Sequence, residues 1–162
     1  MKIRKYQPGE EQEIWTLFYN TIHKINIRDY TRDQINAWAP NDMDLETVFQ
    51  KIRDINPYVV IIDRKIVAYA DIQADGYIDH FFCHHDYQGR GIGRALFATL
   101  EKFALENCIN QLSANVSITA RPFFEAMGFS VVKEQTIQQR NQVLTNYKMV
   151  SRHLTNQVHT HR

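Results

Sequence analysis

The most informative stretch of the chain is HHDYQGRGIGR, residues 84–94. It follows a strand-like run, and an amphipathic helical pattern begins inside it and spans Ile92–Asn107. Glycines at every second position from 89 to 93 leave room for a phosphate to reach the backbone, and Arg90 and Arg94 add positive charge. Unpaired amide groups at the start of a helix bind anions. The stretch therefore predicts a phosphate-binding turn between a strand and a helix.

Two other glycine motifs do not fit this turn. A dinucleotide-binding fingerprint counted from Gly89 requires glycine or a close equivalent at the place of Arg94. A P-loop requires a G-K-[ST] ending, which is absent. On the turn alone, a third interpretation stays open, in which the glycines only ease a tight turn at a helix start.

The rest of the chain has the pattern of a single domain over residues 1–150 with short elements. Strands are predicted at 2–6, 58–62, 66–70, 77–83, 112–116, 129–134 and 143–150, and helices at 10–25, 31–38, 45–55, 92–107 and 119–127. Residues 151–162 contain few apolar side chains, and we expect a loose tail there.

The composition excludes several classes of protein. The chain of 162 residues is 44% hydrophobic and 23% charged, which is typical of a globular domain. Its formal charge of +1 gives no support to nucleic-acid or membrane partners, and no apolar run approaches the roughly 18 residues of a membrane span. The two cysteines, Cys83 and Cys108, lack metal-ligand spacing. We expect reduced thiols and a cytoplasmic location.

Three segments together resemble one family. They are YIDHFFC (77–83), the pattern Q-x-x-G-x-G from Gln88 to Gly93, and ARPFFEAMGF (120–129). They resemble the acetyl-CoA motif and the later A-x-x-F-Y-E-x-x-G-F signature of the GNAT (GCN5-related N-acetyltransferase) superfamily. The resemblance implies a single-domain α/β (α+β) fold, with a mixed, mostly antiparallel sheet of six or seven strands that is splayed near the motif and has helices on both faces.

The resemblance also implies an activity and a cofactor. The chain would be an N-acetyltransferase that moves the acetyl group of acetyl-CoA to a primary amine of a small molecule or protein, and a homodimer is possible, as in many relatives. The motif amides would hold the pyrophosphate, and the end of strand 77–83 would pair with the pantetheine arm. The implied cofactor-binding residues are Phe81, Phe82, Cys83, Gln88, Gly89, Arg90, Gly91, Ile92, Gly93, Arg94, Asn115, Phe123 and Phe124. Core packing stays the alternative for the two phenylalanines 123 and 124.

Acetyl transfer needs a base for the amine and a donor for the oxyanion. Asp79 and His80 are the candidate catalytic residues, because they lie in an apolar strand where burial can raise the pKa of a carboxyl group. Side chains alternate along a regular strand, so at most one of the two can face the cleft. Family practice favours Asp79, and a structural hydrogen bond is the alternative. A backbone N–H near Cys83 is the expected oxyanion donor.

The sequence departs from the family at Phe124, where a tyrosine usually protonates the departing thiolate. Tyr77, Tyr87, Tyr147 or a water would take over this task, or the thiolate leaves without an acid. The departure also permits another function, that of a non-catalytic acyl-CoA-binding regulatory module.

Acceptor specificity in the family generally comes from the first helices and the last strand pair. Tyr30 and Trp38 are therefore candidate substrate-binding residues, with core packing as the alternative. Acidic residues dominate between Asp29 and Gln50, which would suit a cationic acceptor unless they are solvated or cap a helix. No metal site is predicted at the neighbouring histidines 84 and 85, because adjacent strand residues point apart.

Overall fold

The computed structural model describes residues 1–151. Its strands are β1 (Lys2–Lys5), β2 (Tyr58–Ile62), β3 (Lys65–Ala70), β4 (Tyr77–Ile78), β5 (Phe81–Cys83), β6 (Leu112–Ser117), β7 (Ser130–Gln139) and β8 (Gln142–Ser151). Its helices are α1 (Glu11–Lys24), α2 (Arg32–Trp38), α3 (Leu45–Ile55), α4 (Ile92–Glu106) and α5 (Arg121–Ala126), with short 3-10 turns at Asn26–Arg28 and His85–Tyr87. The predicted mixed α/β class is confirmed.

The strands form two four-stranded sheets in place of the predicted single sheet of six or seven strands. The first has the order β1-β2-β3-β5 and is antiparallel throughout, and the second has the order β4-β6-β8-β7 with a parallel pair at β4 and β6. The predicted strand 77–83 is broken, because β4 pairs with β6 whereas β5 pairs with β3. The chain passes between the sheets at Asp79 and His80, and this produces the splay that the sequence predicts near the motif.

A buried carboxylate holds the break between β4 and β5. Asp71, which is 0% exposed, accepts hydrogen bonds at Oδ1 from the N–H of Asp79 (3.0 Å) and the N–H of His80 (2.6 Å). Its Oδ2 accepts one from Gln73 Nε2 (2.7 Å). A carboxylate is buried only where such donors compensate for lost water. Asp71 therefore supplies the acceptors for the two peptide groups where the chain leaves one sheet for the other.

Helices cover both faces of the first sheet, as predicted. One face packs Val59 and Tyr69 against Ile14 of α1 and Ile52 of α3. The other face belongs to a larger core that includes Val60, Ala68 and Ala70 of the sheet and Leu96 and Leu100 of α4. Full burial of each large apolar side chain contributes about 1.5–3 kcal/mol. These two layers fix α1, α3 and α4 around the point where the sheets part.

Element boundaries agree with the sequence pattern in the helices and differ in the last strand pair. The predicted capping box is present at the start of α2, between Thr31 and Gln34. β7 and β8 extend five and one residues beyond the predicted ends, to Gln139 and Ser151, because an exposed polar strand carries little hydrophobic signal. The prediction of a tail from 151 is wrong at Ser151, and 152–162 lie outside the described residues. Within residues 1–151, no helix is both long and apolar enough to cross a bilayer.

Candidate active site

A cavity of about 980 Å³ is lined by both β5 and β6 where the two sheets part. We call the part lined by Phe81, Cys83, residues 87–89 and 91–94, and Phe123 the turn end, and the part lined by Trp15, Phe18, Lys51 and Phe82 the helix end. Asp79 and His80 lie on the cavity wall. The cavity is also lined by both substrate-binding candidates and by every cofactor candidate of the sequence analysis except Arg90.

The turn requires glycine at its three glycine positions for two different physical reasons. Gly89 and Gly91 have φ angles of +72° and +79°, in the left-handed region that favours glycine, and no heavy atom lies within 4 Å of the place where a Cβ would stand. At Gly93 a Cβ would lie 3.1 Å from the ring of Phe123. The first two glycines therefore permit the turn, and the third permits close packing of α4 against α5.

The start of α4 presents an uncapped helix end to the cavity. Gly91 occupies the N-cap position without a side-chain hydrogen bond, and the first turn contains no acidic residue. Ile92, Gly93 and Arg94 line the cavity, so the first amides of this 15-residue helix lie beside it. An uncapped helix N-terminus with a neighbouring guanidinium suits an anion. Arg90 is not brought to the cavity, and its guanidinium carbon lies 4.9 Å from the ring centroid of Tyr87.

β5 presents one edge to the cavity. The N–H of Asp71 donates to the carbonyl of His80, and the N–H of His84 donates to the carbonyl of Val67, so residues 80, 82 and 84 direct their backbone groups towards β3. Backbone direction alternates along an antiparallel strand, and the groups of Phe81 and Cys83 therefore face the cavity. The N–H of Cys83 therefore faces the cavity, and its role as the oxyanion donor stays a prediction.

The carbonyl oxygen of Cys83 already accepts two hydrogen bonds. One comes from Thr21 Oγ1 of α1 (3.0 Å) and the other from Gln88 Nε2 of the turn (2.7 Å). A carbonyl oxygen has two lone pairs, so both are occupied. The contact joins α1 at the helix end to the turn, and it gives Gln88 a role in shaping the turn.

Both catalytic candidates line the cavity, which differs from the expectation that only one would. The alternation rule does not apply, because the strand is broken at these two residues. The carboxylate of Asp79 forms an ion pair with Lys51 Nζ at 2.5 Å. Asp71, which the sequence analysis did not name, is a carboxyl group whose pKa is raised, by burial, to about 6.

His80 is surrounded by aromatic rings. Its ring stacks on Phe18 with 5.5 Å between centroids, meets Phe82 edge-on at 5.7 Å, and places Nδ1 2.9 Å from the hydroxyl oxygen of Tyr69. Burial lowers the pKa of His80 to about 4, so the imidazole is uncharged at neutral pH. When Nδ1–H donates to the oxygen of Tyr69, the lone pair of Nε2 is left as a proton acceptor.

The remaining cofactor candidates are held by the second sheet and by α5. Asn115 donates through Nδ2 to the hydroxyl oxygen of Tyr77 (3.3 Å) and accepts from Gln135 Nε2 (2.8 Å). Phe123 lies 5.2 Å from Phe81, centroid to centroid. Phe124 is only 3% exposed and also meets Phe81 edge-on, so core packing accounts for most of its surface.

The two substrate-binding candidates make structural contacts as well as lining the cavity. The hydroxyl of Tyr30 donates to the carbonyl of Thr145 (2.7 Å) and accepts from the N–H of Ile118 (2.9 Å). Trp38 meets the ring of Tyr30 edge-on at 5.5 Å. The hydroxyl of Tyr30 therefore ties the first helices to the second sheet.

Two of the three tyrosines named as replacement acids line the cavity, namely Tyr77 and Tyr87. Burial raises the pKa of Tyr77, which keeps its hydroxyl protonated at neutral pH. Tyr147 is absent from the described lining, and its ring lies 4.6 Å from the guanidinium carbon of Arg121. Tyr77 is the better placed of the three, because its hydroxyl also meets Asn115 on the cavity wall.

The acidic residues of the first helices do not form a wall of the cavity. Asp29, Asp33, Asp42, Asp44 and Glu46 are exposed, and none belongs to the described lining. Asp44 caps α3 by accepting from the N–H of Thr47 (3.3 Å). Of the two interpretations that the sequence leaves open, solvation and helix capping therefore fit these residues, and a wall for a cationic acceptor does not.

The two neighbouring histidines do not point apart as expected. His85 begins a 3-10 turn after β5, and its ring stacks on His84 with 4.2 Å between centroids. Ligand atoms of His84, His85 and Asp86 lie within 4.8 Å of one another. The rings are nearly parallel at 21°, so their lone pairs do not converge on one point, and Lys24 Nζ lies 3.2 Å from His85 Nε2. This geometry does not suit a cation, and the absence of a metal site stays a prediction.

Several residues of the site escaped the sequence analysis. They are Trp15, Phe18, Thr21, Lys51 and Asp71. Asp71 had a usable signal, because a single acid between Ala70 and Ile72 closes an apolar run. The others lie on helices whose apolar spacing is explained by the core alone, so no pattern distinguishes the side chains that reach the cavity.

Comparisons with known proteins show which family the chain is similar to. Residues 26–151 match the family model described as an acetyltransferase (GNAT) domain. The chain is 34% identical over 149 residues to the protein of Escherichia coli (strain K12) named uncharacterized N-acetyltransferase YafP, an alignment that covers 92% of this chain and 94% of that protein.

Two solved structures have the same fold. A GCN5-related N-acetyltransferase from Rhodopseudomonas palustris, described as aminotransferase, class-II, superposes with a TM-score of 0.88 at 24% identity and covers 93% of this chain and 94% of its own. The PaiA N-acetyltransferase of Thermoplasma acidophilum, in complex with coenzyme A, superposes with a TM-score of 0.74 at 15% identity and covers 93% and 98%. The similarity therefore extends over nearly all of this chain.

Proposed function

Because the chain belongs to the GNAT superfamily and is an acetyltransferase, we propose that it transfers the acetyl group of acetyl-CoA to a primary amine bound at the helix end of the cavity. The observation that carries this proposal is the uncapped start of α4, which lies at the turn end beside two left-handed glycines. Such a helix end binds a diphosphate through its amides. The coenzyme A complex of the PaiA protein supports the same choice of ligand.

The turn and β5 would each bind a different part of the cofactor. The amides of residues 91–94 would hold the diphosphate with Arg94, and the cavity-facing backbone of Phe81 would pair with the extended arm. Phe123 closes the wall between these parts, since it contacts both Phe81 and Gly93. Acetyl-CoA supplies an activated acyl carbon when it is bound there.

Side chains at and beside the break between β4 and β5 would accept and donate the protons of the reaction. The amine nitrogen attacks the thioester carbon, so an N–C bond forms, the C–S bond breaks, and the nitrogen loses a proton. His80 would take that proton at Nε2, whose lone pair is free when Nδ1–H donates to Tyr69 and the imidazole is uncharged. The N–H of Cys83 would donate to the oxyanion, and Tyr77 or a water would protonate the thiolate.

Binding and turnover must be measured separately to test this proposal. We expect acetyl-CoA to bind in a calorimetric titration, and a panel of primary amines to cause release of free thiol with an acetylated product seen by mass spectrometry. Binding without thiol release on any amine would favour the regulatory module, which the phenylalanine at 124 permits. Failure of acetyl-CoA to bind would overturn the proposal.

A further inference from the structure

The helix end of the cavity has a wall of aromatic rings. Trp15 and Phe18 of α1 stack with 5.4 Å between centroids and 26° between planes. Phe18 continues the row onto His80 at 5.5 Å and 18°, and Phe82 meets Phe18 edge-on at 5.0 Å. Trp15, Phe18 and Phe82 all line the cavity and are partly exposed. An apolar surface made of a row of stacked rings therefore leads to the imidazole that would receive the amine proton.

The charges around the cavity do not suit a second cation on the acceptor. Its charged lining residues within 1–151 are Lys51, Asp79, Arg94 and Arg140. Asp79 is the one carboxylate among them, and its Oδ2 is already paired with Lys51 Nζ. Arg140 donates to the carbonyl of Ala37 and to Met43 Sδ, so a guanidinium also stands at this end. An additional ammonium group would meet two cations and no unpaired carboxylate of the described lining.

We infer that the acceptor is an aromatic primary amine without a second cationic group, whose ring packs against Trp15 and the edge of Phe18 while its amine lies beside His80. This inference rests on the proposed function and names the substrate class of the same site. Stacked aromatic pairs are stabilised beyond the burial of their area, which a saturated ring cannot reproduce. Polyamines and lysine-rich peptides carry the extra charge that this end of the cavity does not balance.

Three amines, each assayed at saturating acetyl-CoA, test the proposed class of acceptor. Benzylamine and cyclohexylmethylamine have the same carbon skeleton and the same charge, and 1,6-diaminohexane adds a second ammonium group. We expect kcat/KM for benzylamine to exceed that for cyclohexylmethylamine by about tenfold, the scale of one aromatic contact. The diamine should be the poorest of the three. A diamine that matches or exceeds benzylamine would overturn the inference alone, whereas no thiol release with these three or with any amine of the wider panel would overturn the proposed function with it.

Two variants test the ring and the charge separately. Trp15→Leu should raise KM for benzylamine about tenfold, raise KM for cyclohexylmethylamine clearly less, and leave KM for acetyl-CoA unchanged. Tyr58→Leu is the control, because Tyr58 is a half-buried ring outside the described lining. Lys51→Gln should release Asp79 from its ion pair and lower KM for 1,6-diaminohexane. Equal losses on both ring amines in Trp15→Leu, or no gain on the diamine in Lys51→Gln, would contradict the inference.

Discussion

The two ends of the cavity are built from different parts of the protein. The turn end consists mainly of backbone from one short segment, residues 88–94, where two left-handed glycines lead into an uncapped helix. The helix end consists of side chains from α1, α3 and the break between β4 and β5, brought together only by folding. A backbone site can be encoded in a few consecutive residues, whereas a side-chain site is distributed along the chain. The following changes test this division.

The largest effect is expected for Gly91→Glu at the turn end. Position 91 has a left-handed φ of +79°, and the new carboxylate would itself occupy the start of α4 and repel a diphosphate. We expect the Kd for acetyl-CoA, measured by calorimetry, to rise by at least about 100-fold. Gly9→Glu is the control for backbone strain, because Gly9 has a φ of +102° and equally open surroundings outside the cavity lining. Retained affinity in Gly91→Glu would remove the diphosphate from the turn.

His80→Phe should separate the two ends most clearly. The phenyl ring keeps the stack on Phe18 and removes the proton acceptor, so kcat should fall by about 100-fold. The Kd for acetyl-CoA should stay unchanged, since the turn end is intact. A fall in affinity equal to the fall in kcat would mean that the two ends are not separate.

The pH dependence of turnover gives a second measurement on His80. Its pKa is lowered by burial to about 4, below the ordinary 6.5, so protonation of the base begins only well below neutral pH. As the pH is lowered through 6.5, the kcat of the wild type should therefore fall no more than the kcat of His80→Phe. An acidic limb centred near 6.5 and specific to the wild type would contradict the buried, uncharged histidine.

Asp71→Asn should have an intermediate effect, because it alters the support of the helix end without touching the cavity. An amide at 71 keeps one oxygen for the N–H groups of Asp79 and His80 but turns a donor towards Gln73. We expect kcat to fall by about tenfold with KM for acetyl-CoA unchanged, as for a misplaced proton acceptor. Loss of acetyl-CoA affinity would show that the hydrogen bonds of Asp71 support the turn end as well.

Asp71→Asn also tests how the free energy of unfolding depends on pH, and the direction of this dependence can be predicted. Burial raises the pKa of Asp71 from an ordinary 3.8 to about 6, so the folded protein holds this proton more tightly than the unfolded chain. The stabilisation of the folded protein by this bound proton is present below about pH 4 and is lost as the pH rises through about 6. The free energy of unfolding of the wild type, relative to Asp71→Asn, should therefore fall over this range in urea titrations. A flat difference would contradict it.

The smallest effect is expected for Phe124→Tyr, which restores the tyrosine usual in the family. Phe124 is 3% exposed, with its ring between Phe81 and Phe129, so a hydroxyl there is largely enclosed. We expect kcat to change by less than about threefold, far below the range for a general acid. Tyr77→Phe is the companion variant, and it should lower kcat more than Phe124→Tyr changes it. A large gain in Phe124→Tyr would show that the wild type lacks an acid.

The sequence predicted the strand, turn and helix of the turn end well because this information is local. Glycine spacing, the helical pattern after Ile92 and the segment 120–129 each lie within a few consecutive residues. Apart from Arg90, whose guanidinium lies over the Tyr87 ring, every residue named there lines the cavity. Spacing identifies which backbone groups are exposed, but it does not fix the direction of a long flexible side chain.

The helix end was not predictable in the same way. Residues 77–83 have the apolar character of one strand, and the break at Asp79 and His80 depends on acceptors that Asp71 brings from the end of β3. A carboxylate acts here through a contact between segments, which periodicity within one segment does not record. The same limit applies to Lys51, whose partner Asp79 lies 28 positions further along the chain.

The carbonyl of Cys83 has a consequence for the energetics of ligand exchange. Because Thr21 and Gln88 use both of its lone pairs, an incoming amide that reaches this oxygen must displace one of them and trades one hydrogen bond for another. Little affinity is gained by such a trade. If Thr21 is displaced, α1 loses one hydrogen bond to β5 but stays packed in the core through Ile14 and Ile22, which are 0% exposed. The two ends of the cavity therefore share one acceptor atom that the protein's own donors already saturate.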